Sequence, residues 1–594
     1  MIPRPLAFFV ASAALTLAAG AAGAACQFQK LAEVPVTMDG LRPTIMAKIN
    51  GQDAKFLVDT GAFFGGVTEE TAARYKMKHA VAPFGLQVQT LGGVTHDIRA
   101  VAADTFSFST IGVHDLEFMV GGRLGGEGIA GNIGQNLLGP FDVEYDLGNG
   151  MMRYFKATGC GDANLAYWSA GVAVSRLPLV DPTNIITAVV TYAKVDGRQV
   201  RVTWDSGASL SVLSRPAAAR AGINVTSEGV TSAGISYGVY GKGLESFLAP
   251  FASFQVGQEE IKNTQLRVTD IGVGNSDMLL GADFFLSHRI LVSNSQKKVY
   301  FSYNGGPVFR LGAAPRPQAD TTSPTRASAG EPKAGGEFAG RAAAQAARRD
   351  YLAAIADYTR AIELEPKAAG YYRARAAARL AVGQSLTAMA DIDSALKLDP
   401  GNTDALMLRG EVALAMHEPA KAGADFDQVM KLAPGDSGLT TSIGLAYARA
   451  GLYEPAIRAL DVWIAAHPRD EDLPLVLNAR CYARGVWGKQ LDLALADCDA
   501  ALKRDKNSAF MDSRGLVLLR MGRLDEAIIQ YAAAIKAQPR AAMPLYGRGL
   551  AQLKKGQRSQ GEADIAAAKA LEPGVEQEFK RMGLASGDAA AAKS

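Results

Sequence analysis

The chain has 594 residues, of which 48% are apolar and 20% charged, the balance of an ordinary globular protein with room for several domains. A formal net charge of +3 over that length argues against nucleic acid or a membrane surface as partner. The six histidines are scattered and no His/Cys cluster has metal-ligand spacing, so neither a metal nor another cofactor is expected.

Residues 1–25 combine Arg4, an apolar run (LAFFVASAALTLAAG) and a small-x-small site at Ala22-Gly23-Ala24, the pattern of a signal peptide removed on export. The run lacks the flanks and length of a settled membrane span and no later stretch approaches one, so no transmembrane segment is expected after its removal. Cys26, directly after the site, raises lipid modification. Because Gly23 stands where leucine is preferred, export to the periplasm is the first reading and lipid anchoring the second. In an oxidising compartment the four cysteines allow two disulfides. Pairing Cys26 with Cys160 would tie the first strand of the next region to its exit; the alternative is two unpaired small hydrophobes.

Residues 26–165 read as short alternating strands with glycine turns: VPVTMDG, TIMAKING and AKFLVDTGA, the last ending in Asp59-Thr60-Gly61-Ala62. TEETAARYKM follows as a short helix and LQVQTLGGVTHDI as a hairpin around Leu91-Gly92-Gly93. GNIGQNLLGPFDVEYDLGNGMMRYF then gives an apolar pair before a glycine, a strand, an Asn-Gly turn and a strand. Residues 166–311 repeat that order. An opening strand pair ends in Asp205-Ser206-Gly207-Ala208, RPAAARAGI is a helix, TSAGISYGVYGKG is a glycine-rich hairpin around Gly234, and Leu279-Leu280-Gly281 precedes the closing strands. The two acids are 146 residues apart (205 − 59), and the two regions read as an internal duplication.

One Asp-[Thr/Ser]-Gly after a strand is equally well explained by an Asx turn. Two matched copies point to paired carboxylates. Brought face to face, they cannot both ionise cheaply; they share a proton, and one serves as acid and the other as base when water attacks an amide carbonyl.

On these motifs, the flap-like hairpins and the apolar-apolar-Gly closing segments, residues 30–303 resemble the retropepsin-like aspartic proteases, with two lobes fused in one chain. The resemblance implies that Asp59 and Asp205 form the catalytic dyad and that the substrate is a peptide or protein. It also implies that Thr60 and Ser206 brace the two loops by hydroxyl hydrogen bonds. Gly61 and Gly207 would let backbone approach closely, with Ala62 and Ala208 completing the loops. Gly92, Gly93 and Gly234 would lie in flaps that exclude water. DSGASLSVLS fits the pattern well. DTGAFFGGVT reads as carrying one extra residue, with Phe63-Phe64-Gly65-Gly66 in place of a small polar position, which would reshape one cleft wall or mark an inactive lobe. Two rivals stay open: a non-catalytic peptide-binding or assembly factor of the cell envelope, and a protease whose dyad forms between two copies of the chain.

Residues 312–335 are rich in Pro, Ala, Gly, Ser and Thr and read as a flexible linker. Beyond it, Pro366, Pro400, Pro434 and Pro468 recur every 34 residues (400 − 366, 434 − 400, 468 − 434), and Lys506, Pro539 and Pro573 continue the series after an insertion. Small residues (Ala354, Ala388, Ala422, Ala456, Ala494, Ala527) precede larger ones four positions on (Tyr358, Ile392, Phe426, Leu460, Cys498, Tyr531). This spacing resembles the tetratricopeptide repeat, in about seven copies over 336–575, and predicts helix pairs stacked into a solenoid whose groove takes a protein partner. Residues 576–594 are left as a tail. Cys481 and Cys498 fall where the small and large positions of one repeat meet, which predicts a disulfide, the alternative being two packed thiols. Arg373, Arg375, Arg409, Arg480, Arg484, Arg514 and Arg548 are expected either to grip carboxylates in the groove or to form a solvated face. The expected fold is multidomain: an all-β bilobal acid-protease-like domain followed by an all-α solenoid.

Overall fold

The computed structural model describes residues 8–10, 26–81, 88–90, 93–95, 99–121, 128–180, 188–236, 243–271, 276–309, 332–433, 437–468, 470 and 472–584. The signal segment apart from Phe8–Val10, most of the 312–335 linker, Gly92 and the last ten residues lie outside these. The chain divides into two compact units, 1–230 with 248–402, and 231–247 with 403–594.

The two strands that carry the acids are built alike. Gln52–Val58 and Arg198–Trp204 have the same burial sequence residue for residue: exposed at the polar start, alternating in the middle, and enclosed on both faces at the end. Each forms a hairpin with the strand before it, Arg42–Ile49 or Val190–Val195. Each then lies parallel to a strand from later in its lobe, Ile129–Ile133 or Met278–Leu280. The long apolar run of a doubly covered strand is thus placed at the end that delivers the aspartate. Trp204 is fully buried among Phe284, Phe285 and Phe301, with ring centroids 5.5, 6.2 and 5.4 Å away. A burial of that kind contributes about 2–3 kcal/mol and holds the end of the strand still.

A third, six-stranded sheet joins the lobes, running Ser175–Pro178, Lys298–Tyr303, His288–Ser293, Asp142–Asp146, Met151–Thr158, Gln27–Pro35. Its seam pairs Glu144 with Leu291, which are 147 residues apart (291 − 144). Asn136 and Asp283, which play the same part in their lobes, have that separation too (283 − 136). The pseudo-two-fold axis therefore passes between Glu144 and Leu291. Glu144 is fully buried there and paired on both sides, with Arg153 Nη1 at 2.6 Å and Arg289 Nε at 3.0 Å. Cys26 is bonded to Cys160 at the outer edge of this sheet, where Gln27 and Thr158 are register partners.

Four helices follow the linker within the first unit. The helix Gly335–Ala347 packs on Thr37–Asp39 and on the turn Leu147–Asn149. Gly340 meets Gly150 backbone to backbone: a Cβ on Gly150 would lie 2.5 Å from Gly340 C. Arg348 Nη1 donates to Leu286 O (3.2 Å) and Gly305 O (3.3 Å). The helical region thus begins by Gly335, and the first repeat is docked on the β region of its own unit.

Seven helix pairs run from Gly335 to Leu571 among the described residues, followed by a short helix Val575–Arg581. All six small positions are 0% exposed, and the large ones, Tyr358 at most at 6%, fill the space beside them, which is why the 34-residue period folds as it does. The segment after 575 is not a tail from its start: Val575 and Phe579 are buried and close the stack. Cys481 and Cys498 are disulfide-bonded. The arginines are already used. Arg375 clasps Asp391 and Arg409 clasps Asp425, each through two nitrogens at 2.7–2.9 Å, sixteen residues along on the second helix of the pair. Arg548 clasps Asp564 and Arg480 clasps Asp497 through two nitrogens as well, Arg484 joins Asp497 through one, and Arg514 pairs with Asp499. For these six the expectation that they await a partner's carboxylate is corrected, because internal aspartates hold them.

Candidate active site

Each acid sits one residue beyond its doubly buried strand end, in a loop fixed at both sides. Asp59 N donates to Ile133 O (3.1 Å) and Asp205 N to Leu280 O (2.8 Å), so the later strand of each lobe sets where the loop begins. Ala62 O accepts from Gln135 N (2.9 Å) and Ala208 O from Ala282 N (2.7 Å), so the helix after that strand sets where it ends.

Within each loop one carboxyl oxygen makes a local turn. Asp59 Oδ1 accepts from Gly61 N (3.1 Å) and Ala62 N (2.9 Å); Asp205 Oδ1 accepts from Gly207 N (3.0 Å) and Ala208 N (3.1 Å). The Asx-turn reading and the paired-acid reading are therefore compatible. One oxygen shapes the loop, and the two carboxyls stand close enough to act on each other.

The loops are locked by crossed hydroxyls. Thr60 Oγ1 donates to Trp204 O (2.7 Å) and accepts from Ser206 N (2.9 Å). Ser206 Oγ donates to Val58 O (2.7 Å) and accepts from Thr60 N (3.1 Å). Both side chains are fully buried. Gly61 and Gly207 are glycine for reasons of space. A Cβ on Gly61 would lie 2.5 Å from Asp205 Cγ, and one on Gly207 2.5 Å from Asp59 Cγ.

Burial disfavours the charge on both acids, and at Asp59 it raises the pKa against the hydrogen bonds from Ala62, Asn132 and Gly61. Asp205 is raised as well, by burial. A pair of this kind holds one proton over a broad span of pH.

The first loop carries no extra residue. Thr68 and Ser214 cap the following helices through their side chains, onto Thr71 N and Ala217 N, and stand 146 apart (214 − 68), as do the acids. Gly65 N and Ser211 N likewise donate to Asn136 Oδ1 and Asp283 Oδ1. The loops have equal length and differ in composition: Phe63-Phe64-Gly65-Gly66 faces Ser209-Leu210-Ser211-Val212. Phe63 and Phe64 are half-buried and stack edge to face at 4.5 Å.

Of the flap glycines, Gly92 lies outside the described residues. Gly93 opens the strand Gly93–Thr95, which pairs antiparallel with Val88–Thr90. Gly234 lies in Thr231–Ser236 with φ +78°, a conformation that favours glycine. Sequence reasoning missed two residues at the site. Gln135 Nε2 donates to Thr60 O (2.7 Å), and Asn132 Nδ2 donates to Asp59 Oδ2 (3.0 Å). The one available signal was an asparagine inside the otherwise apolar run of Ile129–Ile133.

Residues 45–137 and 191–284 match the aspartyl protease family, and residues 513–575 match the tetratricopeptide repeat family. The chain carries two aspartyl protease family domains followed by a tetratricopeptide repeat region. Solved structures similar to it include a tetratricopeptide repeat protein from Parabacteroides merdae (16% identity, covering 42% of this chain and 98% of that one, TM-score 0.34). Yeast Tom70 (20% identity, 43% and 54% covered, TM-score 0.31) and Pseudomonas aeruginosa pilF (18%, 36% and 97%, 0.28) are others. No curated protein matches the chain.

Proposed function

We propose that the chain is an exported aspartic endopeptidase in which Asp59 and Asp205 activate a water for attack on a peptide bond, while the repeat region docks a protein partner. The observation that carries this reading is the crossed Thr60–Ser206 lock, which holds the two carboxyls, Asp59 buried and Asp205 partly so, against each other inside one chain. In the singly protonated pair, the ionised carboxyl takes a proton from water as its oxygen bonds to the scissile carbon. The protonated carboxyl gives its proton to the carbonyl oxygen. When the adduct collapses, the C–N bond breaks, the leaving nitrogen takes the proton held by the former base, and the hydroxyl proton returns to the former acid. Apolar Phe63 and Phe64 beside the first loop favour apolar side chains next to the cleaved bond. The two disulfides suit an oxidising compartment outside the inner membrane.

Cleavage of casein by the purified mature chain, followed from about pH 4 to about pH 7.5 with a pepstatin-type inhibitor and the Asp59→Asn and Asp205→Asn variants, tests this. Cleavage that both substitutions abolish is the expected result. Activity that survives Asp59→Asn but not Asp205→Asn would put the working dyad between two copies of the chain. No cleavage by a folded wild type at any pH would leave the lobes as a peptide holder.

A further inference from the structure

The two acids receive the same backbone hydrogen bonds but not the same side-chain ones. Asn132 Nδ2 stands 3.0 Å from Asp59 Oδ2. Its amide orientation is not arbitrary, because Gly66 N donates to Asn132 Oδ1 at 2.7 Å, which commits the oxygen and turns the NH2 toward the acid. Asn132 is 4% exposed, so water cannot easily take its place. In the second lobe the position is Leu279. Asn132 is the register partner of Leu57 and Gly66, as Leu279 is of Thr203 and Val212, each pair of partners standing 146 apart (203 − 57, 212 − 66). A leucine has no donor to offer Asp205. Asp59 thus accepts three N–H bonds and Asp205 two.

We infer that Asn132 is a positioning residue that breaks the symmetry of the dyad, holding the negative charge on Asp59 and the shared proton on Asp205. An N–H bond to a carboxylate oxygen favours the ionised form, and the favour is larger in a buried site than in water. The groups that face Asp59 are the Gly61 and Ala62 N–H of its own loop, the Asn132 amide from Ile129–Ile133 and Asp205 from the other lobe; those facing Asp205 are the Gly207 and Ala208 N–H and Asp59. Among these, the second acid is the titratable one and the rest are neutral. On the peptidase reading, on which this rests, Asp59 is the base that takes the proton from water and Asp205 the acid that faces the scissile carbonyl.

The two limbs of the pH–rate profile separate the possibilities. If Asp59 is the charged member, Asn132 stabilises the singly and doubly ionised pair alike and acts on the first proton loss. Asn132→Leu, which copies the second lobe, then raises the acid limb of kcat/KM by about one pH unit, the shift for one lost hydrogen bond to a charged group, and leaves the alkaline limb in place. Moving the donor with Asn132→Leu/Leu279→Asn, in protein checked for folding by circular dichroism, returns the acid limb to the wild-type position. A shift of the alkaline limb instead would mean the proton sits on Asp59, and no shift in either would reduce Asn132 to packing; both outcomes overturn the inference. A carbon-13 NMR titration of aspartate-labelled wild type, with the two carboxyls assigned by Asp59→Asn and Asp205→Asn, reads the same order without catalysis. Asp59 should lose its proton first. The reverse order refutes the role of Asn132 even in an active enzyme, while an inactive wild type with the expected order refutes the peptidase reading alone.

Discussion

Replacing Thr60 by valine removes one hydroxyl from the crossing between the loops and keeps the shape of the side chain. That hydroxyl donates to Trp204 O (2.7 Å) and accepts from Ser206 N (2.9 Å), and both Thr60 and Ser206 are 0% exposed. In the variant a carbonyl and an N–H lose their partner in a fully buried place. Each such loss costs about 2 kcal/mol, so the pair costs about 4; the added methyl returns about 1, leaving about 3 kcal/mol. Urea unfolding is the assay, followed by near-ultraviolet circular dichroism for the aromatic β lobes and at far-ultraviolet wavelengths for the helices, so that the two kinds of structure are followed separately. The midpoint of the β transition should fall with unchanged slope while the helical one stays. Peptidase activity should fall further than stability does, by about a hundredfold or more, since a shift of about 1 Å in one acid spoils the attack geometry. A loss below about 1 kcal/mol would mean the loops are held by strand and helix packing, and the crossed hydroxyls are incidental.

The remaining expectations concern charge and covalent bonds. Burial raises the pKa of Asp283 from 3.8 to about 6, so stability at this site is complete below pH 3.8 and is lost as pH rises through 6, by about 3 kcal/mol; Asp283→Asn, the residue the first lobe has at Asn136, should flatten that part of the pH dependence of the urea midpoint. Arg409→Gln strips the 5% exposed Asp425 of its two-nitrogen clasp and should lower the helical midpoint by about 2 kcal/mol, with Asp425→Asn restoring part of it. Loss of the Cys481–Cys498 bond, which spans 17 residues, should cost about 3 kcal/mol, and loss of Cys26–Cys160, which spans 134, about 5, each in the transition of its own unit and each absent when the wild type is compared under reducing conditions.

The doubled acid motif, the strand-rich lobes and the 34-residue period were legible because each is written as a local pattern repeated at a fixed spacing. What escaped was written across the chain. Asn132 meets Asp59 from 73 residues away, through a strand that looks apolar except for that residue. The apparent extra residue in DTGAFFGGVT came from matching residue types, since Gly65 and Gly66 share none of the character of Ser211 and Val212; the capping hydroxyls of Thr68 and Ser214 set the true alignment. For Arg375, Arg409 and Arg548, the aspartate sixteen positions on was visible in the sequence, but a helical reading pairs residues three or four apart and passes over a partner on the next helix. The docking of Gly335–Ala347 depends on Gly150 and Gly340 touching, and two isolated glycines carry no such message.

The distribution of likeness and difference between the lobes has a physical logic. Where the loops touch each other the residues correspond: Thr60 with Ser206, Gly61 with Gly207, Ala62 with Ala208. Any change there would break a contact made by both lobes at once. The differences gather one step away, at Phe63–Phe64 against Ser209–Leu210, Gly66 against Val212, and Asn132 against Leu279. A dyad assembled from two identical chains must accept every substitution on both sides, so it cannot give one acid a donor and withhold it from the other. Fusion in one chain removes that constraint. Gly66 and Asn132 act together in this respect: the glycine N–H orients the amide, and the amide reaches one acid of the two. The covalent joining of the lobes is thus what allows a near-symmetric scaffold to hold an asymmetric proton.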